Sequence, residues 1–379
     1  MAELFYKILF HIITQNILCS NVSILQEAAY IPPGDKMKKW IGLILVCGMI
    51  LALLLYSGET AEAMLRGLRL CGSNVIPALF PIMVGTRLLT ALLRTLTLPK
   101  GFTRIWQRCF GVSSNCAYGF ILSLLGSYPV GAAVITQLYE SKAISKEDAE
   151  RSLCFCNNSG PGFFLGVVGA IVLEDMSAGI LLYVIHVISA LLIAVFHGRK
   201  NEAAQMAMNT KAYDGPVWSL LLQAIQESCY AMLQICGMIL FFSVLGSLAE
   251  KIGLFSLFRL LPVPMVESEA LLRGMLELTG GIFLLKGSSA AMVFAAFLMG
   301  WGGLCVHFQA AALWRRAGLA PKGYYRSKLL QAFLSAGLAW PVLENKPVYS
   351  IIFIGTILVL RIILGKIRNH TGNTDRYAL

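Results

Sequence analysis

The chain has 379 residues, of which 57% are hydrophobic and only 13% are charged. A soluble domain of this size carries roughly 25% charged residues, whereas the mean hydropathy of +0.71 is typical of a membrane protein. Apolar runs near the ~20 residues that a helix needs to cross a bilayer recur along the whole chain. The composition therefore predicts an all-α polytopic membrane protein and excludes a large soluble domain.

The net charge of +11 comes from Lys and Arg residues that cluster at the ends of apolar segments. Cytoplasmic flanks of membrane helices have this pattern, so we expect no nucleic-acid partner. The clusters are Lys36, Lys38 and Lys39; Arg94, Lys100, Arg104 and Arg108; Arg199 and Lys200; Arg315, Arg316, Lys322, Arg326 and Lys328; and Arg361, Lys366 and Arg368.

Residues 1–36 contain an apolar patch, Leu4 to Leu18, that is short for a span and has no small-residue cleavage site after it. From Met37 a basic flank leads directly into an apolar run, which is a natural beginning for a membrane protein. We expect residues 1–36 to be an interfacial N-terminal extension or the product of an upstream mis-start, with Met37 as the start.

Eight apolar segments are predicted to cross the membrane. In chain order they are Trp40–Ser57, Ser73–Leu93, Arg151–Leu173, Ala178–Phe196, Gln226–Ala249, Ser288–Leu313, Lys328–Trp340 and Val348–Leu364. Two further apolar segments, Cys116–Leu138 and Leu271–Leu285, are broken by Gly and Pro and do not fit simple spans.

The distribution of basic residues among the loops between spans predicts which loops are cytoplasmic and therefore the topology. The basic connections at residues 94–108 and 199–211 both belong inside, and two clear spans lie between them. Cys116–Leu138 is therefore predicted to enter and leave on the same side as a re-entrant hairpin. If Leu271–Leu285 is also re-entrant, the same count places Glu250 outside and residues 314–328 and the C-terminus inside.

The chain is predicted to consist of two membrane halves, residues 37–198 and 218–379, joined by a cytoplasmic linker at 199–217. Each half has a span, a short amphipathic piece, a Gly-interrupted segment and further spans. The stretches beginning at Gly126 and at Gly300 align loosely, which favours two pseudo-repeats. Paired broken helices at corresponding positions of two halves point to the substrate site of a transporter.

Four apolar stretches are interrupted by Gly, Pro and small polar residues: "GSYPVG" at 126–131, "NNSGPG" at 157–162, "ELTGG" at 277–281 and "GWGGLCVHFQ" at 300–309. Non-helical backbone at membrane depth is tolerated only where protein or water meets its polar groups. A shared polar cavity is the favoured interpretation, and simple packing kinks are the alternative.

The predicted substrate-binding residues come from these four breaks. They are Ser127, Tyr128, Pro129, Gly131, Asn157, Asn158, Ser159, Gly160, Thr279, Gly302, Gly303 and Gln309. Free amides at helix N-termini favour an anionic or strongly polar ligand. Tyr128 and Trp301 can stack on a flat ring, although either alone is more commonly a packing residue.

Glu277 and His307 are the candidate coupling residues. Glu277 is a carboxylate deep inside an apolar stretch, which suggests a proton or cation coupling site, or else a cap for its own broken hairpin. His307 can relay protons or bond a neighbouring helix. His186 and His197 have no polar company in the sequence and are predicted to be structural.

Catalysis and metal binding have little support. The chain lacks G-x-S-x-G, H-E-x-x-H and P-loop motifs, and Cys154 and Cys156 lie two residues apart, so on a helix they face different sides. We therefore expect no enzyme activity, no metal and no cofactor. In the loop 140–151, Ser145 is predicted to cap a helix that has acidic residues in its first turn.

The stretch "GSYPVGAAVITQLYESKAISKEDAERSLCFCNNSGPGFFLGVVG" and the later "LELTGGI" and "GWGGLCVHFQ" resemble motifs of the YlbJ family of sporulation integral membrane proteins, also called the SpoVV family. The resemblance covers roughly Met37 to Leu364 and keeps the motif order. That family belongs to the nucleoside-recognition or "Gate" group, similar to concentrative nucleoside transporters. It is implicated in endospore formation, with a proposed role in moving dipicolinic acid towards the forespore.

The resemblance and the breaks together imply a sporulation-associated transporter for a small polar aromatic anion such as dipicolinate. A nucleoside or related metabolite permease is one alternative, and a non-transporting scaffold for spore-envelope assembly is another. The expected partners are the lipid bilayer, a small-molecule substrate, a coupling proton or cation, and a second copy of the chain in a homo-oligomer. The expected location is the bacterial cell membrane or the outer forespore membrane.

Overall fold

The computed structural model describes residues 36–93, 99–197, 217–253, 264–344, 346–352 and 354–355, and every regular element in these residues is helical. The predicted all-α class is therefore confirmed. The chain divides into two compact units, Met1–Ser57 and Gly58–Leu379. The predicted extension 1–36 and linker 199–217 lie outside the described residues, apart from Lys36 and Val217.

The described part of the first unit is helix α1, Lys36–Leu55. It has 20 residues, so at 1.5 Å per residue it is about 30 Å long, the thickness of the hydrocarbon core. It contains the predicted span Trp40–Ser57 except for the last two residues, and its basic residues lie at its N-terminal end.

Fourteen numbered helices follow α1 within the described residues, and all of them lie in the second unit except for Ser57, the first residue of α2. They are α2 Ser57–Leu70, α3 Ile76–Leu93, α4 Lys100–Phe110, α5 Cys116–Gly126, α6 Val130–Glu140, α7 Lys146–Leu153, α8 Phe163–Leu173, α9 Met176–His197, α10 Val217–Lys251, α11 Met265–Leu276, α12 Leu278–Leu284, α13 Ala291–Trp301, α14 Gly303–Arg316 and α15 Tyr324–Leu343. Helix α8 is wound as a π-helix, and so is the turn Cys71–Val75 that joins α2 to α3.

Three described stretches are long and apolar enough to cross a membrane by themselves: Met176–His197, Trp218–Lys251 and Ala291–Arg316, the last taken across its break at Gly302. They contain the predicted spans Ala178–Phe196 and Gln226–Ala249 and nearly all of Ser288–Leu313. The first two predictions were shorter than the observed helices, most of all at the N-terminal end of α10, and the third was displaced by three residues towards the N-terminus.

Of the remaining elements, one helix was missed, one span was predicted to start too late, and one predicted span lies mostly outside the described residues. Helix α2 was not predicted, because its first turns are polar. The predicted span Lys328–Trp340 begins too late, since α15 starts at Tyr324 and the Lys328 side chain is fully buried. Of the predicted span Val348–Leu364, only residues 348–352 and 354–355 are described.

The predicted span Arg151–Leu173 is two helices with an unwound segment between them. Ser145 caps α7 by accepting a hydrogen bond from the Asp148 amide at 3.0 Å, as predicted. The helix ends at Leu153, and residues 157–160 have no helical conformation. Helical winding resumes at Pro161, a residue suited to a first helical position because it has no amide hydrogen to leave unbonded.

The segment predicted to be re-entrant, Cys116–Leu138, folds back on itself as the pair α5–α6. A Cβ built at Gly119 would lie 2.4 Å from Ile135 Cδ1, so the two helices lie side by side. Asn115, just before α5, donates from Nδ2 to Ala143 O beyond α6 at 3.0 Å. The two ends of this hairpin therefore lie next to each other.

The second broken segment, Leu271–Leu285, forms part of a similar hairpin, α11–α12. Its turn is the single residue Glu277, which has extended backbone dihedrals. A Cβ at Gly281 would lie 2.3 Å from Gly274 Cα and 2.6 Å from Ala270 O, so α12 runs back along α11. The hairpin begins at Met265, six residues before the predicted segment.

Close packing of the helices relies on small residues. At Gly179 a Cβ would lie 2.8 Å from Gly169 Cα, where α9 crosses α8. At Gly300 it would lie 2.7 Å from Ala332 Cα, where α13 crosses α15. Small residues let helix backbones approach in membranes, where lipid is as apolar as the side chains and burial alone supplies little driving force.

A labelling experiment tests whether α5–α6 crosses the membrane. Because the ends of this hairpin adjoin, Lys100→Cys, which precedes the hairpin and replaces an exposed residue, and Ser141→Cys, which follows it, should react with an impermeant thiol reagent from the same side in a cysteine-free background. Ser177→Cys, after one further pass through α7–α8, should react from the other side. Labelling of the first two positions from opposite sides would show that α5–α6 spans the bilayer.

Candidate functional site

The first hairpin and the unwound segment meet at glycines. A Cβ at Gly131 would lie 1.5 Å from Cys156 O, and one at Gly160 would lie 2.9 Å from Ser127 N. The hydroxyls of Ser127 and Ser159 are 3.4 Å apart. Two of the four predicted breaks, 126–131 and 157–162, are therefore in direct backbone contact.

The other two breaks also meet. Gly302 and Gly303 have positive φ values of 91° and 82°, which glycine adopts at little cost. A Cβ at Gly303 would lie 3.0 Å from Leu278 N, at the tip of the hairpin α11–α12. Trp301 Nε1 donates to Met275 O at 3.1 Å. The turn between α13 and α14 thus packs on the Glu277 turn.

Tyr128 joins the two pairs. It stands at the tip of α5–α6, before the cis peptide bond to Pro129. Its hydroxyl donates to Met299 O at 2.8 Å, and a Cβ at Gly302 would lie 3.3 Å from its Cζ. All four breaks consequently form one connected region.

A cavity of about 50 Å³ lies inside this region. Six polar or aromatic residues from the four breaks line it: Ser127, Tyr128, Ser159, Glu277, Thr279 and Gln309. Apolar residues complete its wall: Val75, Phe163, Val167, Ile235, Ile239, Leu278, Cys305 and Val306. The volume is enough for a few water molecules, so in this conformation the cavity is too small for an aromatic solute.

Glu277 is both a cap and a cavity residue. Its Oε1 accepts from Thr279 N at 2.8 Å and its Oε2 from Gly280 N at 2.6 Å. The side chain therefore caps α12, which is the second of the two roles that the sequence suggested for Glu277. The positive end of the helix offsets part of the negative charge of the carboxylate, and the carboxylate still borders the cavity.

The two asparagines of the unwound segment bind protein groups, and neither lines the cavity. Asn157 Nδ2 donates to Tyr324 Oη at 2.7 Å. Asn158 Nδ2 donates to Ser123 Oγ at 3.1 Å and to Phe155 O at 2.7 Å. Both side chains are fully buried.

Lys328 on α15 is the central partner of this segment. Its Nζ donates to Asn157 O, to Gln331 Oε1 at 2.8 Å and to Asn158 Oδ1 at 3.5 Å. Gln331 Nε2 donates to Asn158 Oδ1 at 3.1 Å. Lys328 had been assigned to a basic cytoplasmic flank, and the structure corrects that assignment because the side chain is fully buried.

The two central histidines also lie in the polar region. His307 Nδ1 is 3.1 Å from Tyr324 Oη, and its ring centroid is 4.3 Å from that of Trp301. His186 Nε2 accepts a hydrogen bond from Ser159 N at 3.3 Å. The expectation that His186 has no polar neighbours was therefore wrong. His197 likewise has one, since its Nε2 is 3.1 Å from Ser327 Oγ.

Six of the fourteen residues predicted for the site line the cavity. The other eight surround it or support its walls: Pro129, Gly131, Asn157, Asn158, Gly160, Gly302, Gly303 and His307. Five further residues belong to the polar region and were not predicted from the sequence: Ser123, His186, Tyr324, Lys328 and Gln331. Tyr324, Lys328, Gln331 and Ser335 recur at helical spacing on one face of α15, and that stripe is the signal that could have found three of them.

Apolar helices with a buried polar centre, built where interrupted helices meet, define an integral membrane protein. Among curated proteins the chain is similar to the sporulation integral membrane protein YlbJ of Bacillus subtilis strain 168, with 28% identity over 329 residues, 76% of this chain and 78% of that protein. The resemblance that the motifs indicated is thereby confirmed. No family model matches the chain.

Among solved structures the chain is similar to CNTnw, a concentrative nucleoside transporter, in an outward-facing state. The sequence identity is 14%, the match covers 81% of this chain and 85% of that one, and the TM-score is 0.44.

Replacement of Gly131 tests the contact between the hairpin and the unwound segment. In Gly131→Ala the new methyl group would overlap the Cys156 carbonyl, and backbone cannot move aside as a side chain can. We expect a loss of about 1–3 kcal/mol of stability, measured as a lower Tm in detergent. Gly237→Ala on α10 is the matched control, because a Cβ there meets nothing within 4 Å. Equal Tm values for the two variants would contradict the contact.

Proposed function

We propose that the protein is a solute transporter and that its substrate binds in the cavity between the four breaks. The observation that carries this proposal is the lining: each break contributes at least one polar side chain to the same cavity, by way of Ser127, Ser159, Thr279 and Gln309. Transporters commonly place their substrate sites between discontinuous helices near the bilayer midplane. Kinks that served only helix packing would not require polar side chains from all four breaks to line one cavity.

The order of elements supports two repeats. In the first half the hairpin α5–α6 is followed by the interrupted helix α7–α8 and the long helix α9. In the second half the hairpin α11–α12 is followed by the interrupted helix α13–α14 and the long helix α15. This order pairs residues 126–131 with 277–281, whereas the sequence alignment paired them with 300–309. We retain the eight spans and two re-entrant hairpins as the proposed topology.

For the substrate we propose a small polar aromatic anion similar to dipicolinate. Three helices begin near the cavity: α6 follows Ser127 and Tyr128, a helical turn follows Ser159, and α14 has Cys305 and Val306 of its first turn in the wall. The N-terminal ends of helices favour negative charge. The Tyr128 side chain offers an aromatic surface for a flat ring. The cavity must widen to admit such a solute.

Glu277 is the proposed coupling residue. Among the described residues that line the cavity it is the one carboxylate, and an ionised carboxylate repels an anionic solute. Binding of a dicarboxylate beside it therefore requires a proton on Glu277. Transport of the anion would then carry a proton with it, which is the coupling that the sequence suggested for this position.

A nucleoside is the second candidate substrate. The observation that favours it is again Glu277, because an ionised carboxylate accepts hydrogen bonds from sugar hydroxyls without a proton being taken up. The similarity to a Bacillus sporulation protein supports a role in spore formation for either substrate. The outer forespore membrane remains the proposed location, and a homo-oligomer the proposed assembly.

Uptake into proteoliposomes tests the proposal directly. The purified protein is reconstituted, and the uptake of radiolabelled dipicolinate and uridine is measured with and without a proton gradient. We expect saturable dipicolinate uptake that the gradient increases. Uridine uptake alone would establish the second candidate. Uptake of neither above that of empty liposomes would contradict transport of both candidates and favour a scaffold.

The cavity hydroxyls should contribute to affinity. In Thr279→Val the shape is kept and one hydroxyl of the cavity wall is lost, so we expect the substrate Kd to rise about 5–10-fold, the equivalent of one hydrogen bond. Thr136→Val is the matched control, since Thr136 is equally buried but lies away from the cavity. Binding is measured by isothermal titration calorimetry. Identical Kd values for both variants would exclude Thr279 from the site.

Replacement of Glu277 by Gln separates coupling from capping. Gln keeps the size of Glu and one acceptor oxygen, but it cannot take up a proton. In Glu277→Gln we expect dipicolinate uptake to lose its response to the proton gradient, while counterflow between equal pH values persists. The measurement is uptake in proteoliposomes with imposed pH differences. An unchanged response to the gradient would leave Glu277 as a cap alone.

A further inference from the structure

Lys328 has an unusual set of partners for a buried cation. Its side chain is fully buried on α15, and its ammonium has three hydrogen-bond donors. The acceptors are one main-chain oxygen, Asn157 O, and two amide oxygens, Gln331 Oε1 and Asn158 Oδ1. All three acceptors are neutral.

No Asp or Glu among the described residues forms an ion pair with Lys328. The described titratable groups that interact with it lie on the tip of α5–α6, in the segment after α7, on α9 and on α14, and none of these described groups is a carboxylate: Tyr128, Cys154, Cys156, His186 and His307. A buried charge is costly unless polar groups compensate it. The compensation here comes from carbonyl dipoles, together with the Tyr128 ring, whose centroid lies 5.7 Å from the ammonium.

The two amide groups are held so that their oxygens point at the ammonium. Asn158 uses its nitrogen for Ser123 Oγ and Phe155 O. Gln331 uses its nitrogen for Asn158 Oδ1 at 3.1 Å. The oxygens are therefore fixed in place by bonds that do not involve Lys328. A preformed group of carbonyl and amide oxygens around one point is the environment that proteins provide for hard metal cations.

The backbone contribution comes from unwound chain. Asn157 O lies just beyond the C-terminal end of α7, in a segment with no helical hydrogen bonds. Unwound carbonyls and helix C-termini at the centre of a transporter are typical ligands of a coupling cation. In this protein the cation beside the unwound carbonyl of Asn157 is the ammonium of Lys328, which cannot dissociate because it is part of a side chain.

We infer that Asn157 O, Asn158 Oδ1 and Gln331 Oε1 form a site for a small monovalent cation and that the Lys328 ammonium occupies it as a covalently attached cation. The unwound segment therefore keeps its conformation without a dissociable metal ion. A transporter built in this way needs no sodium gradient, which agrees with the proton coupling proposed for Glu277. The inference itself concerns cation binding and stability and does not depend on transport.

Lys328→Met tests the inference because it vacates the site with little other change. The Met side chain is one atom shorter than Lys, so its terminal methyl group lies near the position of Cε and the position of Nζ is left empty. A free sodium or potassium ion can then bind the three oxygens. The variant is purified in detergent, and its Tm is measured in increasing NaCl or KCl, with choline chloride added to hold the ionic strength constant.

We expect the Tm of Lys328→Met to rise saturably, by about 5 °C at high occupancy, with Na⁺ or K⁺ but not with choline. The wild-type protein and Lys322→Met, which replaces an exposed lysine, should give the same Tm in all three salts. The double variant Lys328→Met with Gln331→Leu should lose the response, because one ligand oxygen is gone.

Two results would overturn the inference. The first is a Lys328→Met protein whose Tm does not depend on the cation, or which yields no folded protein in any of the three salts. In either case the three oxygens do not accept a free cation. The second is a wild-type protein that gains as much stability from Na⁺ or K⁺ as the variant does, because the site would then be open while Lys328 is present.

Discussion

Unwound backbone inside a membrane protein needs polar partners, and the arrangement of this molecule follows from how residues 157–160 obtain them. Lipid cannot hydrogen-bond these groups, and each unsatisfied group costs several kcal/mol. Lys328 and Gln331 on α15 donate to Asn157 O and Asn158 Oδ1, and His186 on α9 accepts from the Ser159 amide. The interruption is therefore held by two long helices, which fix its position in the unit.

The small residues of the breaks then determine where the cavity lies. Gly131 and Gly160 let the tip of α5–α6 touch the unwound segment, and Gly303 lets the α13–α14 turn touch α11–α12. Tyr128 bonds across the two pairs. Because backbones approach closely at these points and side chains do not fill the centre, a polar space remains between them. All four interruptions therefore border the same space.

The sequence predicts the breaks and the α5–α6 hairpin, and it offers a cap as one of two roles for Glu277, since these features depend on local chemistry: Gly and Pro interrupt helices, and a carboxylate bonds nearby amides. It does not predict the partners of Asn157 and Asn158, because Lys328 lies 171 and 170 residues away in the chain. Charge bias misplaced Lys328 for a physical reason. A lysine near the end of an apolar segment can extend to the membrane surface or turn inwards. The direction depends on whether the folded protein places acceptor oxygens within reach of the ammonium.

We propose that the space between the four breaks binds solute. Protection of a thiol in that space against alkylation measures such binding. Ser159→Cys, in a cysteine-free background, places a reactive group in the cavity wall, and Ser177→Cys provides an exposed reference. Dipicolinate or uridine should slow alkylation of the thiol introduced at position 159 and leave the reference unchanged. Alkylation at the same rate with and without both solutes would contradict the claim.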